Sequence, residues 1–223
     1  MSMGMAACVS IIINRKMLST LHDRCMAVCA GNTHTEDSYV GSKTTRMARK
    51  AGSYIKRCMG AGPDDALLFC GSGATAAAKR LQEAIGVACP PALLRARAGA
   101  GAAQQLLRAE ERWVVFVGPY EHHSNLLSWR QSLVDVVEIG AGAGTDSDDG
   151  LVNLAALRRA LASPEYANRP MLGCFSACSN VTGVLTDTRA IARLLHQHGA
   201  FACFDFAARY VLYSLGACPR CIE

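Results

Sequence analysis

Short apolar runs alternate with helix-patterned stretches along most of this chain, and no other feature narrows the possible folds as much. Residues 45–59 carry the period of an amphipathic helix. Residues 66–70 (ALLFC) predict a buried strand, and residues 76–85 a helix opening directly out of a glycine loop. The run WVVFV at 113–117 has high β propensity. Residues 134–139, 171–175 and 201–206 read as further strands, and residues 151–161 and 187–198 as helices between them. Such alternation predicts an α/β domain, a three-layer sandwich with a mainly parallel sheet and helices on both faces. Ligands in such folds sit beyond the carboxyl ends of the strands, and here the chemically interesting loops all follow apolar runs. The pattern holds from residue 31 to residue 208. Residues 1–30 form a divergent N-terminal segment, and residues 209–223 (RYVLYSLGACPRCIE) continue nothing that precedes them. Two low-complexity stretches, 96–105 and 141–150, read as insertions.

Composition sets outer limits. A chain of 223 residues, 51% of them hydrophobic, can bury one sizeable core. The net charge of +5 is scattered, which predicts no nucleic-acid partner but is compatible with a pocket for an anion. No apolar run reaches membrane-spanning length, so no membrane association is expected. The 11 cysteines are odd in number and irregularly spaced, which argues against a secreted disulfide framework and for a reducing, cytoplasmic setting. Arg15, Lys16 and Arg24 against the single acid Asp23 leave a mitochondrial location as the alternative. Cys218 and Cys221 make a CxxC, a redox or metal half-site that lacks a second pair. No metal site is expected.

Four loops carry possible chemistry. In Gly71-Ser72-Gly73-Ala74-Thr75 the glycines allow a sharp turn, and the N–H groups of the helix that follows face an anion. The plain alternative is a tight turn with Thr75 as helix cap. Glu121-His122-His123-Ser124-Asn125 follows WVVFV and offers a flat imidazole that can stack on an aromatic ring or move a proton. Ser179-Asn180-Val181-Thr182-Gly183 presents an amide, for a ligand oxygen or for an Asx-turn. Asp205 closes an apolar run, where a carboxylate needs a cationic or donor partner. A protonated pyridine nitrogen would serve, as would an arginine or a helix start.

Together these strings resemble the class V aminotransferase and cysteine desulfurase family of fold-type-I pyridoxal-phosphate (PLP) enzymes. Ser72–Thr75 (SGAT) is similar to the family's phosphate loop, which implies phosphate contacts at Ala74 and Thr75. Glu121–Asn125 (EHHSN) resembles its EHHAN segment, which implies that His122 stacks on the pyridine ring. Ser179–Gly183 (SNVTG) resembles SNVLG, with Asn180 at the ring hydroxyl. Phe204–Ala208 (FDFAA) resembles VDGAQ, with Asp205 on the ring nitrogen and Ala208 where the family has a glutamine. Residues 32–35 (NTHT) resemble its substrate-side loop. The resemblance implies an amino-acid substrate and a homodimer.

The family's Schiff-base lysine follows the aspartate strand. Here all five lysines (Lys16, Lys43, Lys50, Lys56 and Lys79) precede Asp205. The resemblance therefore implies an incomplete domain that stops before its lysine and is inactive in this form. A non-catalytic PLP- or anion-binding module, or a dimer partner for an intact relative, is the alternative. A redox or metal protein built on the cysteines is a third.

Overall fold

The structure is a computed structural model that describes residues 33, 36–71, 73–90, 107–140 and 151–208. The N-terminal segment, the two low-complexity stretches and the CxxC tail lie outside the described residues. Residues 33 and 36–69 belong to one compact unit and residues 70–208 to a second.

The smaller unit is built on helix α1, Tyr39–Cys58. It starts six residues before the apolar period predicts, because Ser38 caps it by accepting a hydrogen bond from Gly41 N at 3.1 Å. Lys56 and Arg57 in its last turn complement the negative end of the helix dipole. The strand expected at residues 66–70 is not formed. These residues take no regular secondary structure, with Leu68 66% and Phe69 63% exposed. A short apolar run does not by itself specify a strand, since a ladder requires a partner strand that sequence period cannot supply.

The larger unit holds a four-stranded parallel sheet. Its strands are β1 (Trp113–Val117), β2 (Val134–Glu138), β3 (Met171–Ser176) and β4 (Phe201–Asp205), in the spatial order β2-β1-β3-β4. Helix α2 (Gly73–Ala84) precedes β1. Helices α3 (His123–Arg130), α4 (Leu154–Leu161) and α5 (Thr188–Gln197) form the three crossovers that parallel pairing demands. Each starts on a side-chain cap: His122 accepts from Ser124 N, Asn153 from Ala156 N and Asp187 from Ala190 N. The cap at Asn153 explains why α4 begins three residues later than predicted.

The strands' alternation sorts residues onto two faces. Val114, Phe116 and Phe175 pack with Leu157, Ile191, Leu194 and Leu195 of α4 and α5. Val115, Val117, Leu172 and Cys174 pack with Val87, Trp129 and Val134 on the α3 side. Chain direction follows from this division. From β1 the chain passes over one face to β2, then returns over the other face to β3 and β4. The loops leaving β1 and β3 therefore diverge between adjacent strands, and that topological switch opens a crevice at the sheet's exit edge. At the opposite edge Asp135 accepts from Arg112 Nε at 3.1 and 3.2 Å and is ion-paired with Arg169. Arg169 Nε also donates to Arg112 O at 3.1 Å, which ties the entry edge further.

Candidate functional site at the exit edge of the sheet

The chain leaves β1 at Val117 and turns through Gly118–Glu121 into α3. His122 is the cap residue, with φ −62° and ψ 143°. Its Nδ1 accepts from Ser124 N at 3.2 Å and lies 2.7 Å from Ser124 Oγ. Nδ1 is therefore an acceptor, and in the neutral ring the proton sits on Nε2. The imidazole is exposed, with the His123 ring 6.4 Å away between centroids. The ring expected to stack on a cofactor thus stands on the surface of the exit edge, held from behind.

The structure adds Glu121, whose part the sequence did not show. One carboxylate oxygen accepts from Gly118 N at 3.2 Å and Ser176 N at 2.9 Å. The other accepts from Ser176 Oγ at 2.7 Å and Asn125 Nδ2 at 2.8 Å. Buried Asn125 in turn accepts, through Oδ1, from Trp129 Nε1 at 2.9 Å and Cys174 Sγ at 3.2 Å. This network joins β1's loop, the start of α3 and the end of β3. The adjacency of Glu121 to the histidine pair was visible in the sequence; its contact with Ser176, 55 positions away, was not.

Beyond β3 the chain forms a turn closed by Ser179. Its Oγ accepts from Val181 N at 3.3 Å and Thr182 N at 3.2 Å, and Gly183 takes φ 73°. The Asx-turn alternative for Asn180 is thereby excluded, because Ser179 makes the turn. Asn180 is exposed, and its amide makes no hydrogen bond among the described residues.

Register places Asp205 directly beside Ser176 at the end of β4. The carboxylate is half-buried and accepts from Ala207 N at 2.8 Å. Among the described residues no arginine, lysine or histidine pairs with it, so the ion-pair alternative is not realised there. Ala208 lies three residues further on and offers no polar side chain.

The glycine loop has the conformation that its glycines allow. Gly71 and Gly73 have φ of 53° and 68°, values that side-chain-bearing residues rarely adopt. Ala74 is half-buried and Thr75 is exposed, both in the first turn of α2. Thr75 is inside the helix and is not its cap; Ser72 lies outside the described residues. The far end of α2 is anchored at the sheet's entry edge, where Gln82 Nε2 donates to Ser128 Oγ at 2.8 Å and Leu133 N donates to Val87 O at 2.8 Å. From Gln82 back to Ala74 is ~12 Å at 1.5 Å per residue, comparable with the ~16 Å depth of a five-residue strand. Of the substrate-side loop at 32–35 only Thr33 is described.

A small cavity of about 20 Å³ lies between Gly118, Glu121, Ser176, Ser179 and Thr186. It has room for about one water molecule. His122, Asn180 and Asp205 do not line it; His122 and Asn180 are exposed and Asp205 is half-buried. Among the described residues no three His, Cys, Asp or Glu side chains are grouped to hold a metal ion.

The profile of the family described as "Aminotransferase class-V" matches residues 97–214, more than half of the sequence. The chain belongs to the class-V aminotransferase family. A curated relative, a probable cysteine desulfurase of Chlamydia muridarum, is 28% identical over 109 residues, covering 45% of this chain and 25% of the relative. The apo structure of a cysteine desulfurase from Thermococcus onnurineus NA1 superposes with a TM-score of 0.58 at 15% identity, covering 86% of this chain and 41% of that one. A NifS-like protein from Rickettsia africae gives 0.54 at 14% identity, covering 91% and 48%. These structures show a shared fold. The chain spans a quarter of the curated relative and less than half of each structural neighbour.

PLP is the family's cofactor. The residues present fit it at the ring nitrogen: Asp205 is a half-buried carboxylate at the exit edge with no cation beside it among the described residues. A protonated pyridine would meet that need.

Proposed function

We propose that this chain carries part of the PLP-binding domain of an enzyme acting on an amino acid, of cysteine desulfurase or aminotransferase type. The placement of Asp205 supports this most: a carboxylate at the end of β4, in register with Ser176, with no cation beside it among the described residues. Asp205 would hold the proton on the ring nitrogen, and His122 would offer its exposed imidazole face to the ring. Asn180 would donate its amide to the ring oxygen. The first-turn N–H groups of α2 at Ala74 and Thr75, with the Thr75 hydroxyl, would bind the phosphate, aided by the helix dipole. Bound PLP supplies an electron sink for bonds at the amino acid's α-carbon. Ala208 contributes no polar contact of its own.

The five lysines of this sequence all precede Asp205 and none of them matches the family's Schiff-base lysine, so in this reading the residues given would hold PLP without a covalent bond. Homodimerisation is part of this proposal, supported by the family resemblance alone. Equilibrium dialysis against PLP tests the reading. Saturable binding is expected, weakened about tenfold or more by Asp205→Ala, the loss of a charge-assisted hydrogen bond being worth ~1.5–3 kcal/mol. Borohydride treatment should leave no PLP attached. Absence of binding, or binding indifferent to both Asp205→Ala and His122→Ala, refutes the site. Attachment at one defined lysine refutes the non-covalent part.

A further inference from the structure

We infer that Glu121 is a positioning residue: its carboxylate locks the loop after β1 to the end of β3 and so fixes where the His122 ring stands. The inference rests on the reading of His122 as the cofactor-facing ring. An ionised carboxylate only accepts hydrogen bonds, and every group that Glu121 meets is a donor. Two of the four are main-chain N–H groups, which cannot reverse their role.

The lock spans the crevice at the topological switch. Gly118 and Asn125 belong to its own loop and helix, whereas both Ser176 donors come from the adjacent strand. Gly118 makes room for it. A Cβ at that position would lie 2.8 Å from Glu121 Oε1 and 3.3 Å from Phe175 Cδ1, so a side chain there would displace the carboxylate. Asn125 cannot compensate by turning over, because Trp129 Nε1 already requires its oxygen. His122 sits between two members of this network, at positions 121 and 125. Its cap geometry cannot shift while both are held.

Glu121→Gln is close in shape and wrong in polarity. Its NH2 group meets either the two main-chain donors or, turned over, Ser176 Oγ and the Asn125 amide. Only the Ser176 hydroxyl can reverse to accept. One donor-against-donor contact remains, and the loop must move to relieve it.

The test uses the full 223-residue chain, with the ¹H–¹⁵N signals of the His122 ring as the first readout and PLP dialysis as the second. In Glu121→Gln the Nδ1-acceptor signature of His122 should be lost or averaged, and PLP affinity should fall about tenfold, the equivalent of one frustrated, partly buried hydrogen bond. Asp135→Asn, which opens the ion-paired cluster at the other edge, should lower stability and leave the His122 signals in place. If the His122 signals of Glu121→Gln match wild type, the inference is overturned. It is overturned equally if Asp135→Asn disturbs them as much, since general loosening would then account for the effect. If His122 responds to Glu121→Gln alone but wild type binds no PLP, the positioning role stands and the cofactor reading fails. Should Glu121→Gln not fold, Ser176→Ala removes only the hydroxyl donor, and the same two readouts decide in the same directions.

Discussion

Replacing Gly173 with alanine should destabilise the larger unit, although the change adds one methyl group at a site facing the core. Gly173 lies in the middle of β3, on the face covered by α5. A Cβ there would stand 2.4 Å from Leu195 Cδ1, 2.8 Å from Leu195 Cδ2 and 2.8 Å from Phe175 Cε2. Ordinary carbon contacts are ~3.5–4.0 Å, so the overlap exceeds what small adjustments absorb. Neither neighbour has somewhere to go, since Leu195 and Phe175 are both fully buried. Overpacking of this kind costs ~1–3 kcal/mol, while alanine recovers ~0.5–1 kcal/mol of backbone entropy relative to glycine. The net expectation is a loss of ~1–2 kcal/mol. Urea unfolding should show it as a lower midpoint at unchanged slope. A second variant isolates the cause. Leu195→Ala alone should cost ~2–5 kcal/mol through its cavity, and in the double variant the new methyl occupies part of that space. The double should therefore be more stable than the sum of the singles by more than ~0.5 kcal/mol. A Gly173→Ala protein as stable as wild type, or strict additivity, would refute the claim that glycine is required here for the close approach of α5.

Three further outcomes follow from single contacts. Asp187→Ala removes the oxygen that accepts from Ala190 N at 3.0 Å and should cost ~1 kcal/mol, seen as a lower unfolding midpoint and recovered largely by Asp187→Asn. Asp135→Asn leaves Arg169, whose side chain is 7% exposed, without its carboxylate; because Asp135 is itself 28% exposed, solvent offsets part of the loss, and ~1–3 kcal/mol is expected in the same assay. Burial, reinforced by Glu165, raises the Tyr166 phenol above its usual value. Its contribution to stability is thus complete below the unfolded phenol value of ~10 and is lost as pH rises through the higher folded value. Tyr166→Phe should flatten the alkaline fall in melting temperature, and an unchanged fall would show that burial of this phenol is not its cause.

Most strands and helices were legible in the sequence because they carry strong period. WVVFV became β1 with the predicted bounds, and Val134, Met171 and Phe201 each begin the strand predicted from them. The misreadings have a common origin. The run ALLFC has strand composition but is coil and exposed at Leu68 and Phe69, since hydrophobicity supplies no ladder partner. For Thr75 and Asn180 only the plain alternatives, helix cap and Asx-turn, are not realised. In the fold Thr75 is already inside α2, and Ser179 makes the turn beside Asn180. Such capping roles shift by one to three residues with small changes in backbone direction, which composition does not encode.

The sequence by itself determined the family, through the order and spacing of its motifs, and the alternation that requires a parallel sheet. Tertiary structure decided which residues stand side by side at the exit edge. Sequence cannot set β3 between β1 and β4; crossover handedness and the two-faced core do that, and only then does Ser176 meet both Glu121 and Asp205. A carboxylate that reads as one letter of a histidine motif becomes the anchor of that motif because four donors, two of them 55 residues away along the chain, converge on it in space.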